Sequence, residues 1–201
     1  MGTWLIACEC SGRVRDAFLS RGIDAVSCDM NETEVPGPHI VGDASPLLKK
    51  RWAGVIAHPP CDYLANCGSR WRLERGEQHL VDDAAKFFIE CLNANAPRVA
   101  VENPVMAHAV ARVGRKPDFT IQPWQFGDNF KKRTCFWTRG LPPLTPTSSL
   151  DGSTAYPAVH REPPGPNRKA NRSRTYPGIA AAIAEQWGAL TDLLSYMEAA
   201  E

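Results

Sequence analysis

The sequence predicts an α/β domain with a mainly parallel sheet and an antiparallel hairpin towards its C-terminal end. Three observations predict it. Short runs rich in β-branched and apolar residues alternate with stretches of helical period. Polar residues recur where those runs stop. Beyond Asp118 the helical spacers give way to two short runs that can pair with each other.

The first run, Thr3 to Cys8, leads into a helix around Val14 to Arg21 that Gly22 terminates. Ala25 to Cys28 ends at Asp29, and His39-Ile40-Val41 ends at Gly42-Asp43. Gly54 to Ala57 stops at His58-Pro59-Pro60-Cys61, and Arg98 to Val101 stops at Glu102-Asn103-Pro104. Between these last two, Leu80, Ala84, Phe87, Phe88 and Cys91 recur at intervals of three and four, the core-facing stripe of an amphipathic crossover helix. The hairpin pairs Phe119 to Gln122 with Thr134 to Trp137. Residues 138–174 hold seven of the 17 prolines and little apolar periodicity, which reads as an extended loop or small flap. A last helix from Ile179 to about Met197 carries Ile179, Ile183, Trp187 and Leu190 on one face. There is no internal repeat.

A chain of 201 residues suits one domain with a sizeable core, 1–201. Its net charge of +1 conceals an uneven distribution, because residues 129–174 hold nine Lys/Arg against Asp151 and Glu162. That segment is either a solvated loop or a phosphate-attracting surface. Seven scattered cysteines, an odd number, do not form a secreted disulfide framework, so reduced thiols are expected. With no charged-then-apolar leader and no apolar run near the ~20 residues of a membrane span, a soluble cytoplasmic protein without a membrane partner is expected.

Asp29, Asp43, Cys61 and Glu102 each fall at the C-terminal end of an expected strand, the edge where open α/β sheets bind ligands. An acid after the second strand suits a ribose diol, and one after the third suits an adenine amino group, although either can equally cap a turn. The upstream Glu9-Cys10-Ser11-Gly12 turn would pass under such a ligand, but its one glycine matches the glycine-rich dinucleotide fingerprint poorly. Two prolines stiffen the turn that presents Cys61. A thiol beside an acid on adjacent strands has a use with pyrimidines. The thiolate adds to C6, the carboxyl group hydrogen-bonds or protonates N3, and C5 becomes a carbon nucleophile.

Pro59-Pro60-Cys61 followed by Glu102-Asn103 resembles the Pro-Pro-Cys and Glu-Asn-Val motifs of the cytosine-C5 DNA methyltransferases. The likeness continues in order. Cys10-Ser11-Gly12 is similar to that family's Phe-Ser-Gly loop, Asp29 to its ribose acid, and Gly42-Asp43 to its adenine-binding strand end. Lys131, Lys132 and Arg133, within Phe130 to Phe136, resemble its Gln-x-Arg-x-Arg segment, and Arg174-Thr175-Tyr176-Pro177-Gly178-Ile179 its last motif. As a whole the chain is similar to small methyltransferase-like proteins of phage and prophage origin. The resemblance implies a Rossmann-like class I methyltransferase fold and S-adenosylmethionine as methyl donor. It implies Cys61 as nucleophile, Glu102 as N3 partner, and Arg133 with Lys131, Lys132 and Asn103 about the substrate. It places Ser11, Gly12, Asp29, Asp43, Pro59 and Thr175 about the donor. The chain departs from the pattern at Val14 and Arg15, at Lys131, and at Cys135, which stands where the second Arg belongs. Only about 36 residues separate Trp137 from Arg174, where the family inserts a large recognition domain. The implied partner is therefore either DNA with a flipped cytosine or a free cytidine nucleotide.

Other readings stay open. An amino-methyltransferase would use His58-Pro59-Pro60 but needs an aromatic residue in place of Cys61 and has no use for Glu102. A zinc module has His58, Cys61, Cys67 and His79 to draw on, yet no C-x₂-C knuckle, and no metal is expected. The third is an inactive relative that binds DNA or a partner.

Overall fold

A computed structural model describes residues 2–66 and 74–190. Seven strands form one sheet: β1 (Trp4–Ala7), β2 (Ala25–Asp29), β3 (His39–Val41), β4 (Gly54–Ala57), β5 (Val99–Pro104), β6 (Phe119–Ile121) and β7 (Thr134–Arg139). Their order is β3-β2-β1-β4-β5-β7-β6. The first five run parallel, while β7 pairs antiparallel with both β5 and β6. This is the Rossmann-like class I methyltransferase arrangement, with the expected hairpin in register Phe119↔Phe136 to Ile121↔Thr134.

The strands alternate between two apolar clusters, one on each face, as a sheet covered on both sides must. Leu5, Ala7, Val55, Ala57, Val99, Val101 and Trp137 face the first, together with α2 (Ser45–Leu48), α3 (Gln78–Leu92) and α4 (Val110–Val113). Trp4, Ile6, Ile56, Ala100 and Phe136 face the second, which α1 (Arg13–Leu19) and a C-terminal helix complete. At the sheet's centre Trp4 pairs with Gly54, and any Cβ at Gly54 would land on the Trp4 ring.

Four expectations are corrected. The buried stripe of α3 is Val81, Ala85, Phe88 and Cys91, one position on from Leu80, Ala84 and Phe87. The last two are only partly buried, because the helix is rolled so that Phe88 meets Trp137 edge-on at 5.0 Å. Strand β5 runs on to Pro104, placing Glu102 inside the strand, because β7 continues the ladder to Pro104↔Thr134. Residues 138–174 are more than a loop: α5 (Ala158–Arg161) and α6 (Arg168–Ser173) form there, and Leu141, Leu144 and Ala155 are buried. The last helix, α7 (Pro177–Ile183), begins two residues early because proline suits a first helical turn, and it widens into a π turn at Ala184–Gly188. Ile179, Ile183 and Trp187 are buried as expected, while the stretch from 191 to Met197 lies outside the described residues.

Phe136 joins hairpin to helix: it stacks on Phe119 at 5.3 Å and meets Trp187 edge-on at 5.7 Å. Phe136→Ala is expected to lower unfolding free energy by about 3–5 kcal/mol, measured by chemical denaturation.

Candidate active site

The strand order reverses direction between β1 and β4, the switch point at which open α/β sheets form their ligand crevice. The backbone N–H of His58 donates to the Ala7 carbonyl at 2.9 Å, so these two strand ends stay knitted past the last paired residues.

On the β1 side, Cys8 takes a left-handed φ of 59°, a conformation that most side chains avoid. The Glu9 carboxylate, 5% exposed, then accepts the backbone N–H groups of Val14 at 2.8 Å and Arg15 at 3.3 Å and the Ser11 hydroxyl at 3.1 Å. It thereby caps the start of α1, where orphan donors and the helix dipole favour an anion. Arg15, fully buried, donates to the side chains of Asp16, Ser27 and Thr33 and to the carbonyls of Val35 and Pro36. It ties the segment after β2 down over the loop, and Gly12, at φ 74°, fits against its guanidinium where a Cβ would collide. Arg15 thus makes this loop a charged anchor, at one of the positions where the chain departs from the motif likeness.

Asp29 and Asp43 both bear electrostatically on the Cys8 thiol, which burial first, then Asp29, Cys28 and Asp43, push up to about 12. One oxygen of Asp29 accepts the backbone and side-chain N–H of Asn31, and one of Asp43 accepts the Ser45 N–H. The second oxygen of each has no hydrogen bond among the described residues. Met30, directly after Asp29, is 71% exposed.

On the β4 and β5 side, Ala57 pairs with Val101, which sets His58 level with Glu102. His58 Nδ1 lies 3.2 Å from Glu102 Oε2, with side chains only 12% and 13% exposed. Burial opposes ionisation of Glu102, but the His58 hydrogen bond and the Lys132 charge outweigh it and hold the carboxyl below its usual range. An ionised carboxylate only accepts, so Nδ1 carries the proton. His58 Nε2 is buried with no partner among the described residues. Asn103, 1% exposed, donates from Nδ2 to the Pro59 carbonyl at 2.9 Å and so holds the Pro-Pro turn in place, while its Oδ1 is unpartnered among the described residues.

Cys61 follows at intermediate exposure. Burial pushes its thiol up, the charges of Glu102 and Asp62 add to this, and Lys132 opposes it. The nucleophile candidate is thus a thiol at neutral pH, held within the field of its partner acid.

Glu102, Lys132 and Thr175 line one cleft with His58, Thr134 and Phe136, and α7 closes it with Tyr176 and Ile179. Lys132 Nζ donates to the carbonyls of Ser173 at 3.3 Å and Arg174 at 3.2 Å. Lys131 reaches the Ser153 carbonyl at 3.3 Å, away from that cleft. Arg133 is exposed and makes no hydrogen bond or ion pair among the described residues. The buried Cys135 thiol, at the position where the motif likeness would have a second Arg, lies 3.6 Å from Thr120 Oγ1. The basic segment is pinned across the mouth: Lys169 pairs with Asp62 at 2.6 Å, Arg174 makes a two-pronged pair with Glu34 at 2.7 and 2.8 Å, and Arg13 donates to the Thr175 carbonyl at 2.7 Å.

Sequence reasoning did not foresee the contacts of Glu9, Arg15 and His58, and it carried Tyr176 only as part of the last motif. A signal existed for His58 alone, because it and Glu102 stand at equal offsets beyond neighbouring parallel runs. No group of three or more His, Cys, Asp or Glu side chains able to hold a metal ion occurs among the described residues, and Cys67 lies outside them. No helix there is long and apolar enough to cross a membrane.

No family model and no curated protein matches the chain. Among solved structures, a methyltransferase of Entamoeba histolytica, EhMeth, is similar at 12% identity and a TM-score of 0.43, over 81% of this chain and 60% of its own. A mutant of DNMT2 from Spodoptera frugiperda is similar at 12% identity and a TM-score of 0.38, over 82% of this chain and 60% of its own. The chain therefore spans about three fifths of the length of these structures.

The raised Cys61 thiol has a measurable consequence. Its alkylation by iodoacetamide, located by mass spectrometry, is expected to be slower at pH 7 than that of a free thiol and to keep rising through pH 9. Glu102→Gln removes the second-largest cause of the shift, so Cys61 should then react faster at pH 8.

Proposed function

We propose that this protein is an S-adenosylmethionine-dependent methyltransferase acting on C5 of cytosine, in DNA, through a covalent Cys61 adduct. One observation carries the reading: a thiol that feels a carboxylate's charge stands in the turn after β4, and that carboxylate stands on the neighbouring β5, beside the switch point of the sheet.

The residues present suit the donor. Asp29 keeps one oxygen free for a ribose diol beside the exposed thioether of Met30, Asp43 keeps another, and Ser11 and Gly12 form the loop beneath. Thr175 lines the same cleft as Glu102. When bound, S-adenosylmethionine would supply an electrophilic methyl group.

Cys61 would add to C6 of the ring as its thiol proton passes to the ionised Glu102 and on to N3, so that the carbon–sulfur bond forms without charge building up on the ring. Electrons then move from the C5–C6 bond towards N3, where Glu102 meets the ring edge, and C5 gains the nucleophilicity that methyl transfer needs. Loss of the C5 proton expels the thiolate and restores the ring. Pro59 and Asn103 hold the turn that aims Cys61, and Lys132 offsets negative charge beside Glu102. Arg133, exposed and unengaged among the described residues, is free to meet a phosphate.

A second reading, methylation of a free cytidine nucleotide, is favoured by the engagement of the basic segment. Lys169, Arg174 and Lys132 are already bound within the protein, which leaves few cations to track a DNA backbone.

Calorimetry is expected to show donor binding, weakened at least about tenfold in Asp29→Ala, in line with loss of hydrogen bonds to a charged group. Absence of binding to the intact protein would remove the methyltransferase reading.

Cys61→Ser should abolish methyl transfer and spare donor binding, and a substrate carrying 5-fluorocytosine should trap an adduct on Cys61 of the wild type. Radiolabelled donor offered with DNA, RNA and each cytidine nucleotide separates the substrates. Combined neutralisation of Arg168, Lys169 and Arg172 should cut activity on DNA several-fold, because phosphate contacts dominate affinity for a polymer. Full activity of that variant, with a nucleotide preferred over duplex DNA, would select the second reading.

A further inference from the structure

His58 has no part in the motif likeness, yet it is the side chain that Glu102 is bound to. Parallel registry sets the two level, and Nδ1 occupies Oε2 at 3.2 Å. No hydrogen bond reaches Oε1 among the described residues, and that oxygen is not among the buried atoms. The other imidazole nitrogen is buried and without a partner among the described residues, so nothing else fixes the ring's outer edge. The groups bearing on Glu102 are His58 after β4 and Lys132 ahead of β7, while Glu102 in turn bears on the Cys61 thiol after the Pro-Pro turn and the Cys135 thiol on β7.

We propose that His58 is a positioning residue: its Nδ1–H holds Glu102 Oε2, which leaves Oε1 to meet the N3 edge of the pyrimidine. The role rests on the methyltransferase reading above. A carboxylate on a rotatable stem can turn both oxygens away from a substrate, and binding one of them costs that freedom in advance of the reaction. The same bond helps to keep the carboxylate ionised. Oε1 is then an acceptor, which matches the amino hydrogen that cytosine carries next to N3.

The test compares His58→Ala, which deletes the donor, with His58→Asn, whose Nδ2–H sits where Nδ1–H does but cannot titrate. Two readouts are taken: the carboxyl titration of Glu102 by ¹³C NMR, and methyl transfer against pH, with donor binding as the check on folding. In His58→Ala the Glu102 carboxyl should titrate at higher pH and kcat should fall about ten- to hundredfold, the loss of one hydrogen bond to a charged group. His58→Asn should restore most of that rate and keep the Glu102 titration low. An unmoved Glu102 titration in His58→Ala overturns the inference whether or not the protein transfers methyl groups. A displaced titration with unchanged kcat also overturns it. Should wild type transfer no methyl group to any pyrimidine while Glu102 shifts as described, the methyltransferase reading has failed, and the assignment to N3 falls with it.

Discussion

The parallel register of β4 against β5 is the constraint on which the rest of the site depends. Pairing Ala57 with Val101 puts the first residue beyond one strand beside the first beyond that pair on the other, and these are His58 and Glu102. A slip of one residue would turn every side chain on β4 to the opposite face. The register is held by alternation into two separate cores, with Val55, Ala57, Val99 and Val101 on one side and Ile56 and Ala100 on the other. The pairing of His58 with Glu102 is thus set by apolar packing on both faces of the sheet.

The loop after β1 shows a different solution from the glycine-rich turns of nucleotide-binding folds. Glu9 caps α1 from beneath, and Arg15 spends its donors on the segment that follows β2. A buried guanidinium is tolerated because nearly every donor is matched, and removing its partners would leave an unpaired charge in the interior. Beside this loop, the second oxygens of Asp29 and Asp43 have no hydrogen bond among the described residues, and Met30 is exposed.

Charge explains how residues 138–174 sit. In composition they are an isolated basic segment, but in the fold they pair with acids at the sheet's C-terminal edge. Lys169 meets Asp62 next to Cys61, and Arg174 meets Glu34, drawing that carboxyl down through its hydrogen bond. These pairs are partly exposed, so each contributes modestly and yields readily to a competing phosphate. Apolar contacts of Leu141 and Leu144, and the bond from the Trp187 indole to the Pro142 carbonyl, fix the segment's start more firmly.

By itself the sequence determined the alternation of strands and helices, the hairpin, and the placing of Asp29, Asp43, Cys61 and Glu102 along one edge, because period and strand-end chemistry are local properties of the chain. It also carried the turn that presents Cys61, since two prolines restrict their own backbone wherever they stand. Only the tertiary structure decided the roll of α3, the extension of β5 to Pro104, the burial of Arg15 and the binding of Glu102 by His58. Each of these depends on which distant element packs alongside: Trp137 against Phe88, β7 against β5, the segment after β2 against α1, and β4 against β5. Contacts between residues 20 to 50 positions apart leave no period to read, because what selects them is the shape and hydrogen-bonding demand of a surface that exists only once the sheet has formed.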